Sequence, residues 1–511
     1  MKRYLIILVA GLTFNALQAQ DVRDAVRYSQ DNLNGTARFK AMSGAFGALG
    51  GDLSSLNVNP AGSSVFSNNQ MGFTLSNFST KNDSDYFRSK ASEKINDFDL
   101  NQAGAVFVFK DIRRTTGWNK FALGINYENT NNFDNSVIAF GTNPTNSVGD
   151  YFLSFANANP SKNQVGIPLG VILDNNYHQL NYIDQQAWLG YKGFLINAVD
   201  ENDDNNSVYT SNVPAGGNYY HKNTITSTGY NGKLSFNASA AYEDRIYLGL
   251  NLNTHFTDFR QNTLFLETNN NGANSNDIDL IDTSFENEIY TYGSGFSFQL
   301  GTIIKATKEL RLGIAYESPT WYNLNDEVRQ NLISTINDKS TPNTEIINPD
   351  SNYFIVYDTY QLKTPGKFTG SLAYVFGKKG LLSLDYSIKD YSTAEFSRER
   401  DSRDPYVNAE ITTTLQNSSE LRIGGEYKIQ ALSLRAGYRY EQSPYKNNRI
   451  IGDLNGYSAG IGYNFGSTKL DLSYANSKRN SQQGFFTQGF TDGARINTTT
   501  NSVSLSLLFE L

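Results

Sequence analysis

The chain contains no cysteine, which excludes a disulfide scaffold, thiolate metal sites, a cysteine nucleophile and a lipid anchor on cysteine. Histidine is almost as scarce. His178, His221 and His255 are the only three, a thin basis for transition-metal or imidazole chemistry, so no metal and no cofactor are expected. Cationic residues are in the minority, 43 Lys and Arg against 50 Asp and Glu, for a net charge of −7. Sequence-independent binding to phosphate backbones needs a basic surface, so no nucleic-acid partner is expected. Long apolar runs are missing as well. Beyond the first twenty residues the longest, around 166–173, is about eight residues, far short of the ~18–20 that a spanning helix needs. Hydrophobic residues make up only 39% of the 511, yet aromatics reach 13%, and disordered chains are poor in aromatics.

The N-terminus has the parts of a secretory signal. Met1-Lys2-Arg3 is basic, residues 4–14 are mostly apolar, and Ala16-Leu17-Gln18-Ala19 offers a small residue for cleavage. A signal peptide over 1–19 and a mature chain from Gln20 are predicted. With no apolar helix available, any membrane role must use strands.

Strands are what the rest of the chain spells. In 432–441, Leu432, Leu434, Ala436, Tyr438 and Tyr440 share one face while Ser433, Arg435, Gly437, Arg439 and Glu441 share the other; this period of two is the mark of a strand. Val503, Leu505, Leu507, Phe509 and Leu511 repeat it against serines. The alternation predicts fourteen strands near 70–79, 101–110, 119–129, 230–243, 245–258, 288–304, 308–318, 353–377, 380–392, 419–429, 431–441, 454–465, 468–477 and 497–511. Connections after even strands are short; those after odd strands run from about twelve residues to about one hundred. A soluble sandwich does not sort its loops by parity. An antiparallel transmembrane barrel does, with short periplasmic turns and long outer loops. The expectation is therefore an all-β chain: residues 1–19 signal, 20–69 a plug, and 70–511 a fourteen-stranded barrel whose outer loops carry short helices. Such a barrel belongs in the outer membrane of a Gram-negative bacterium, with outer-membrane lipid and the barrel assembly machinery as partners.

Residues 20–69 do not alternate. They hold the small-residue stretch Ser43-Gly44-Ala45-Phe46-Gly47-Ala48-Leu49-Gly50-Gly51 and then Asn59-Pro60-Ala61. No Lys-Ser/Thr follows the glycines, so this is no phosphate loop; small residues suit a segment packed closely inside a lumen. The Asn59-Pro60-Ala61 motif, Leu310-Arg311-Leu312-Gly313-Ile314-Ala315-Tyr316-Glu317-Ser318-Pro319, Thr364-Pro365 ahead of Gly370-Ser371-Leu372-Ala373-Tyr374, and Leu434-Arg435-Ala436-Gly437-Tyr438 follow in the order seen in one family. Over its mature length the chain resembles the FadL/TodX outer-membrane transporters of long-chain fatty acids and other hydrophobic compounds. The resemblance implies a fourteen-stranded barrel with an N-terminal hatch and passive, non-enzymatic transport; no energy-coupling box follows Gln20.

Candidate ligand residues lie where a solvated loop should be polar. Between strands 3 and 4, Phe152 and Phe155 precede Leu180, Ile183, Ala187, Tyr191 and Phe194 at helical spacing, with Trp188 and Leu195 beside them and Gly190 and Gly193 interrupting. Leu324, Val328, Leu332 and Ile336 predict a second helix after strand 7. These segments either pack on one another as a lid or share a hydrophobic groove that captures ligand, as the resemblance implies. Alternation aims Arg311, Arg422, Arg435 and Arg439 at the lumen with Glu317, Asp385, Glu426, Lys428, Glu441 and Asp471, either as wall-bracing ion pairs or as a cationic contact for an acyl carboxylate. The acidic run Asp200-Glu201-Asn202-Asp203-Asp204 has no defined ligand spacing. Two other classes stay open, a surface adhesin and an outer-membrane hydrolase using a loop histidine.

Overall fold

An alternating strand has one apolar and one polar face, and in hydrocarbon the apolar face can stay outside only if the polar face and every strand edge are enclosed. The computed structural model adopts that solution. It describes residues 21–511 other than 112–116, 161–163, 274–276, 342, 399–401 and 404; the predicted signal segment lies outside the described residues. The barrel strands are β1 (Gln70–Tyr86), β2 (Ser89–Lys110), β3 (Trp118–Asn132), β4 (Tyr219–Tyr242), β5 (Ile246–Asn269), β6 (Ile278–Lys305), β7 (Leu310–Glu317), β8 (Lys367–Val375), β9 (Gly380–Asp390), β10 (Asn417–Ile429), β11 (Leu432–Glu441), β12 (Ile451–Asn464), β13 (Thr468–Gly484) and β14 (Gly493–Glu510). Each pairs antiparallel with the next, and β14 returns to β1 from Gln70↔Glu510 to Asp85↔Arg495, closing the sheet. Outside lie Phe107, Leu123, Leu250, Leu300, Ile314, Leu372, Leu434, Leu472 and Leu505, all exposed; inside lie Ser76, Asn126, Asn251, Gln299, Asp385, Arg435 and Ser504, all buried.

Several expectations at the loop end are corrected. The long loop predicted after strand 1 is absent: β1 and β2 run on to Tyr86↔Ser89 and meet in a tight turn whose central residues Phe87 and Arg88 both have positive φ, 44° and 71°, the handedness that matches strand twist. Much of these extensions, Lys81 to Asp85 and Ser92 to Lys94 above all, is polar on both faces and so lacks the alternation that marks a membrane-facing strand. Residues 130–229 are not all loop; Asn135–Asn143 is a strand on β4, which itself begins at Tyr219 rather than at 230. The helix predicted over 324–336 is a strand, Trp321–Asp338, paired with β6 beyond a break at 318–320. The predicted eighth strand is broken into Ile355–Val356, Tyr360–Lys363 and β8.

The segment before the barrel fills its lumen with two short helices, α1 (Val22–Arg27) and α2 (Ala37–Ala41), and two 3-10 turns. It is held by polar wall side chains on its backbone. Phe46 N and Gly47 N both donate to Asp385 Oδ2 at 2.9 Å; Asn251 Nδ2 donates to Leu56 O at 2.8 Å and Asn237 Nδ2 to Pro60 O at 2.9 Å. Asn59 caps the turn begun by Pro60, accepting from Ala61 N, and donates to Thr302 O on β6 at 3.0 Å. Two wall glycines permit the contact: a Cβ on Gly313 would strike the Gly47 carbonyl, and one on Gly249 would strike Pro60 and Ala61.

Because Asp385 satisfies two hatch amides and Glu426 accepts from Arg38 at 2.9 Å, removing both should cost about 1.5–3 kcal/mol per charge-assisted contact. Asp385→Ala with Glu426→Gln should raise single-channel conductance in planar bilayers severalfold, in a barrel that stays folded by its heat-shifted gel mobility. Unchanged conductance would show that the hatch is anchored elsewhere.

Candidate functional site

At the loop end three helices, α3 (Val148–Ala156), α4 (Leu169–Asp174) and α5 (Tyr182–Lys192), close over the barrel. Gly190 lets α5 approach α3, since a Cβ there would lie 2.6 Å from that of Phe152, and Gly193 ends α5. Phe152, Phe155, Leu180, Trp188 and Leu195 come together in one buried cluster with Phe265, Phe285, Leu332, Ile336, Phe486 and Phe490 from the strand extensions and the 485–490 loop. Ile183, Tyr191 and Phe194 pack on its edge, half-buried. Phe194 lies beyond the helix with φ of 57°. Leu324 belongs to a second, deeper cluster with Tyr28, Phe133, Phe259 and Tyr322; Val328 is half-buried between the two.

The lid is tied down by a buried carboxylate. Glu267 accepts from Ser147 Oγ and from Val148 N, both at 2.7 Å, at the start of α3. His221 Nε2 lies 2.9 Å from the same side chain, and its Nδ1 lies 2.9 Å from Tyr86 Oη. Burial raises the Asp150 carboxyl above its ordinary range, and Glu267 adds to the shift.

Below the lid and above the hatch is a cavity of about 390 Å³, within the ~300–1,000 Å³ usual for small-molecule sites. Leu33, Phe78, Ile95, Phe133 and Phe259 give it an apolar wall; Gln30, Arg27, Arg439 and Arg479 line it as well, with Asp97 and Asp134. The arginines are largely paired: Arg27 with Asp24, Arg439 with Glu420 and Glu441 at 2.6 Å each, Arg479 with Glu441 at 2.9 Å. Two donors are not: among the described residues Gln30 Nε2 and Arg479 Nε are buried without a hydrogen-bond partner. Arg439 donates to Asp31 O, next to Gln30, and shares Glu441 with Arg479, which links the two residues along the cavity lining.

The cavity meets the wall where the wall is incomplete. β2 and β3 pair only from Gln102↔Glu128 to Lys110↔Lys120; above that they part, and side chains bridge the seam. Asn132 Nδ2 donates to Asp97 and Asp99 at 2.6 Å each, and Asn129 Nδ2 to Asp99 at 3.1 Å.

Arg311, Arg422, Arg435 and Arg439 face the lumen. Arg435 bridges Glu426 at 2.7 Å and Asp471 at 2.5 Å, Arg422 holds Glu420 at 2.7 Å, and Arg311 donates to Leu49 O at 3.0 Å. Gln30, Leu33, Phe78 and Arg479 were not singled out by sequence reasoning. Phe133 carried a signal, as the one apolar residue in Asn129-Thr130-Asn131-Asn132-Phe133-Asp134-Asn135.

The sequence pattern of the outer membrane protein transport protein family (OMPP1/FadL/TodX) matches residues 199–507. The chain belongs to this FadL/TodX family of outer-membrane transporters of hydrophobic compounds. Its fold is similar to a Pseudomonas aeruginosa FadL homologue (14% identity, TM-score 0.53, covering 94% of this chain and 99% of the other). It is also similar to the deltaS2 mutant of the TodX monoaromatic hydrocarbon channel (13% identity, TM-score 0.51, covering 94% and 100%). No curated protein matches the chain. For a FadL/TodX barrel the short-turn end is periplasmic and the lid extracellular.

Of the three histidines only one lies in a loop. His221 is on β4, not in a loop, and has no exposure; His255 is within β5, facing the lumen, with Nε2 2.8 Å from Ser297 Oγ. His178 is exposed beside Tyr353.

Glu267→Ala would leave Ser147 and Val148 unpaired at the α3 terminus, a loss of about 1–3 kcal/mol from the lid. Protease added to intact cells should cut the 157–181 segment of the variant faster than that of the wild type, with the barrel itself uncut. Equal rates would show that the apolar cluster alone holds the lid.

Proposed function

We propose that this FadL/TodX protein passively conducts long-chain fatty acids, taking them from the extracellular lid to the cavity above the hatch. The observation that carries the reading is the cavity itself, lined in part by apolar side chains and bearing two N–H donors without a partner among the described residues. An acyl chain lies against Leu33, Phe78, Ile95 and Phe133 while its carboxylate accepts from Gln30 and Arg479. A neutral hydrocarbon would leave both donors unmet. The half-buried edges of Ile183, Tyr191 and Phe194 are the proposed capture surface, over the floor made by Phe152, Phe155, Leu180, Trp188 and Leu195. From there Ile336, Leu332, Val328 and Leu324 lead inward on one face of a single strand, joining the lid cluster to the lumen cluster. The seam between β2 and β3 gives the ligand a way into the membrane that leaves the hatch in place. Transport follows the ligand gradient.

The test measures oleate and toluene uptake by cells expressing wild type, Gln30→Leu/Arg479→Leu, or Tyr191→Ser/Phe194→Ser, with native mass spectrometry of purified protein for retained ligand. Losing charge-assisted hydrogen bonds of about 1.5–3 kcal/mol should reduce oleate uptake by roughly tenfold or more in the cavity variant and leave toluene uptake unchanged. The lid variant should slow uptake of both. Unchanged oleate uptake in the cavity variant would overturn the carboxylate assignment. Toluene retention without oleate retention would assign a neutral ligand.

A further inference from the structure

The periplasmic end carries a group of exposed lysines on one arc of its rim. At the extracellular end the run Asp200-Glu201-Asn202-Asp203-Asp204 is fully exposed. At the other end, one arc of the rim exposes Lys308, Lys378 and Lys379 on the turns after β6 and β8. Lys428 and Lys469, farther along the same arc, hold Glu426 and Glu510 at 3.4 Å each, whereas Lys308, Lys378 and Lys379 make no ion pair among the described residues.

These lysines are presented on fixed backbone. Phe376 N donates to Gly380 O at 2.8 Å across the β8–β9 turn, with Gly377 at φ of 57°. Neighbouring turns are joined to it: Val375 N donates to Glu309 O at 2.9 Å, and Lys428 N donates to Lys379 O at 2.8 Å. The rim is thus one hydrogen-bonded arc rather than separate mobile tips. On its outer side sit exposed aromatic pairs, Tyr374 with Phe376 at 4.8 Å between centroids and Tyr463 with Phe465 at 4.6 Å, and behind them the apolar band of Leu372, Leu382 and Leu434. Aromatic side chains of this kind settle at the headgroup level, which puts the three uncompensated ammonium groups at the phosphates of the periplasmic leaflet.

We propose that this arc binds the headgroups of anionic phospholipids. The acyl chains lie on the leucine band, the glycerol region contacts Tyr374 and Phe376, and the phosphate meets Lys308, Lys378 and Lys379 as point charges. Each lysine near an anionic lipid surface contributes about fivefold to affinity. The surface serves to seat the barrel among such lipids and is independent of what the lumen carries.

The experiment is native mass spectrometry of the full detergent-purified protein titrated with phosphatidylglycerol or phosphatidylethanolamine of matched chains. Wild type should retain phosphatidylglycerol at lower lipid concentration and lose that preference in high salt. Lys308→Gln/Lys378→Gln/Lys379→Gln should weaken phosphatidylglycerol retention by more than tenfold and leave phosphatidylethanolamine unaffected; Lys90→Gln/Lys94→Gln at the extracellular end should change neither. Equal retention of the two lipids by wild type, or unchanged phosphatidylglycerol retention in the triple variant, would overturn the proposal. Heat-shifted gel mobility verifies that each variant is folded.

Discussion

An unpaired backbone N–H or C=O in hydrocarbon costs several kcal/mol, so the closure of β14 onto β1 is the contact on which everything else rests. Closure turns the usual arrangement of a protein inside out. The apolar residues of each strand must face outward, and the interior inherits serine, asparagine, glutamine and charge. A ring of fourteen strands is too wide for those side chains to fill, so the interior needs a second body. The hatch supplies it, and because its own helices are only one or two turns long, much of its backbone has no internal partner. Asp385, Asn237, Asn251 and Gln299 complete that backbone from the wall. The wall's need to bury polar side chains and the hatch's need for hydrogen bonds are met by the same contacts.

Apolar packing in the interior is gathered into several separate clusters. The two largest lie under the extracellular lid and in the upper lumen against α1; below them the hatch meets the wall both through smaller apolar clusters, Phe39, Met42 and Phe46 with Ala373 and Leu53, Leu56 and Phe66 with Val106 and Leu508, and through the polar Arg38–Glu426–Arg435–Asp471 chain. The cavity borders the upper-lumen cluster, sharing Phe133 and Phe259 with it, and takes its arginines from α1, β11 and β13.

The barrel was legible because membrane-facing strands must alternate: 432–441 and 503–511 could hardly be read otherwise. The extensions beyond the membrane were not legible, since Lys81 to Asp85 and Ser92 to Lys94 are polar on both faces and only the ladder partner reveals the strand. Leu324, Val328, Leu332 and Ile336 misled for a simpler reason. A spacing of four is even, so it places side chains on one face of a strand as well as on one face of a helix, and here the partner β6 decides. The apolar loop residues were found by composition, but whether Phe152 and Trp188 form a groove or a floor depends on Phe265, Phe285, Phe486 and Phe490, which come from elsewhere in the chain. The cavity was illegible for the same cause: Gln30, Phe78, Ile95, Phe133 and Arg479 share no period and no neighbourhood in sequence, and only closure of the barrel around the hatch brings them together.

On the proposed route, the seam between β2 and β3 lets a closed barrel open without a free edge of the costly kind. Above Gln102 no described strand forms a ladder with β2 on that side, although Asn135–Asn143 lies near, and Asp97 and Asp99 reach across to Asn132 and Asn129. Side-chain bonds of this sort can be exchanged one at a time, whereas a ladder must break as a unit to let anything through. Phe98 and Leu100 stand exposed on the outer side of the same stretch, while Ile95 and Asp97 line the cavity on the inner side. A ligand leaving through the seam would therefore pass from one apolar surface to another, displacing amide and carboxylate contacts that can re-form behind it, and neither the ladder of the wall nor the anchorage of the hatch has to be spent in the passage.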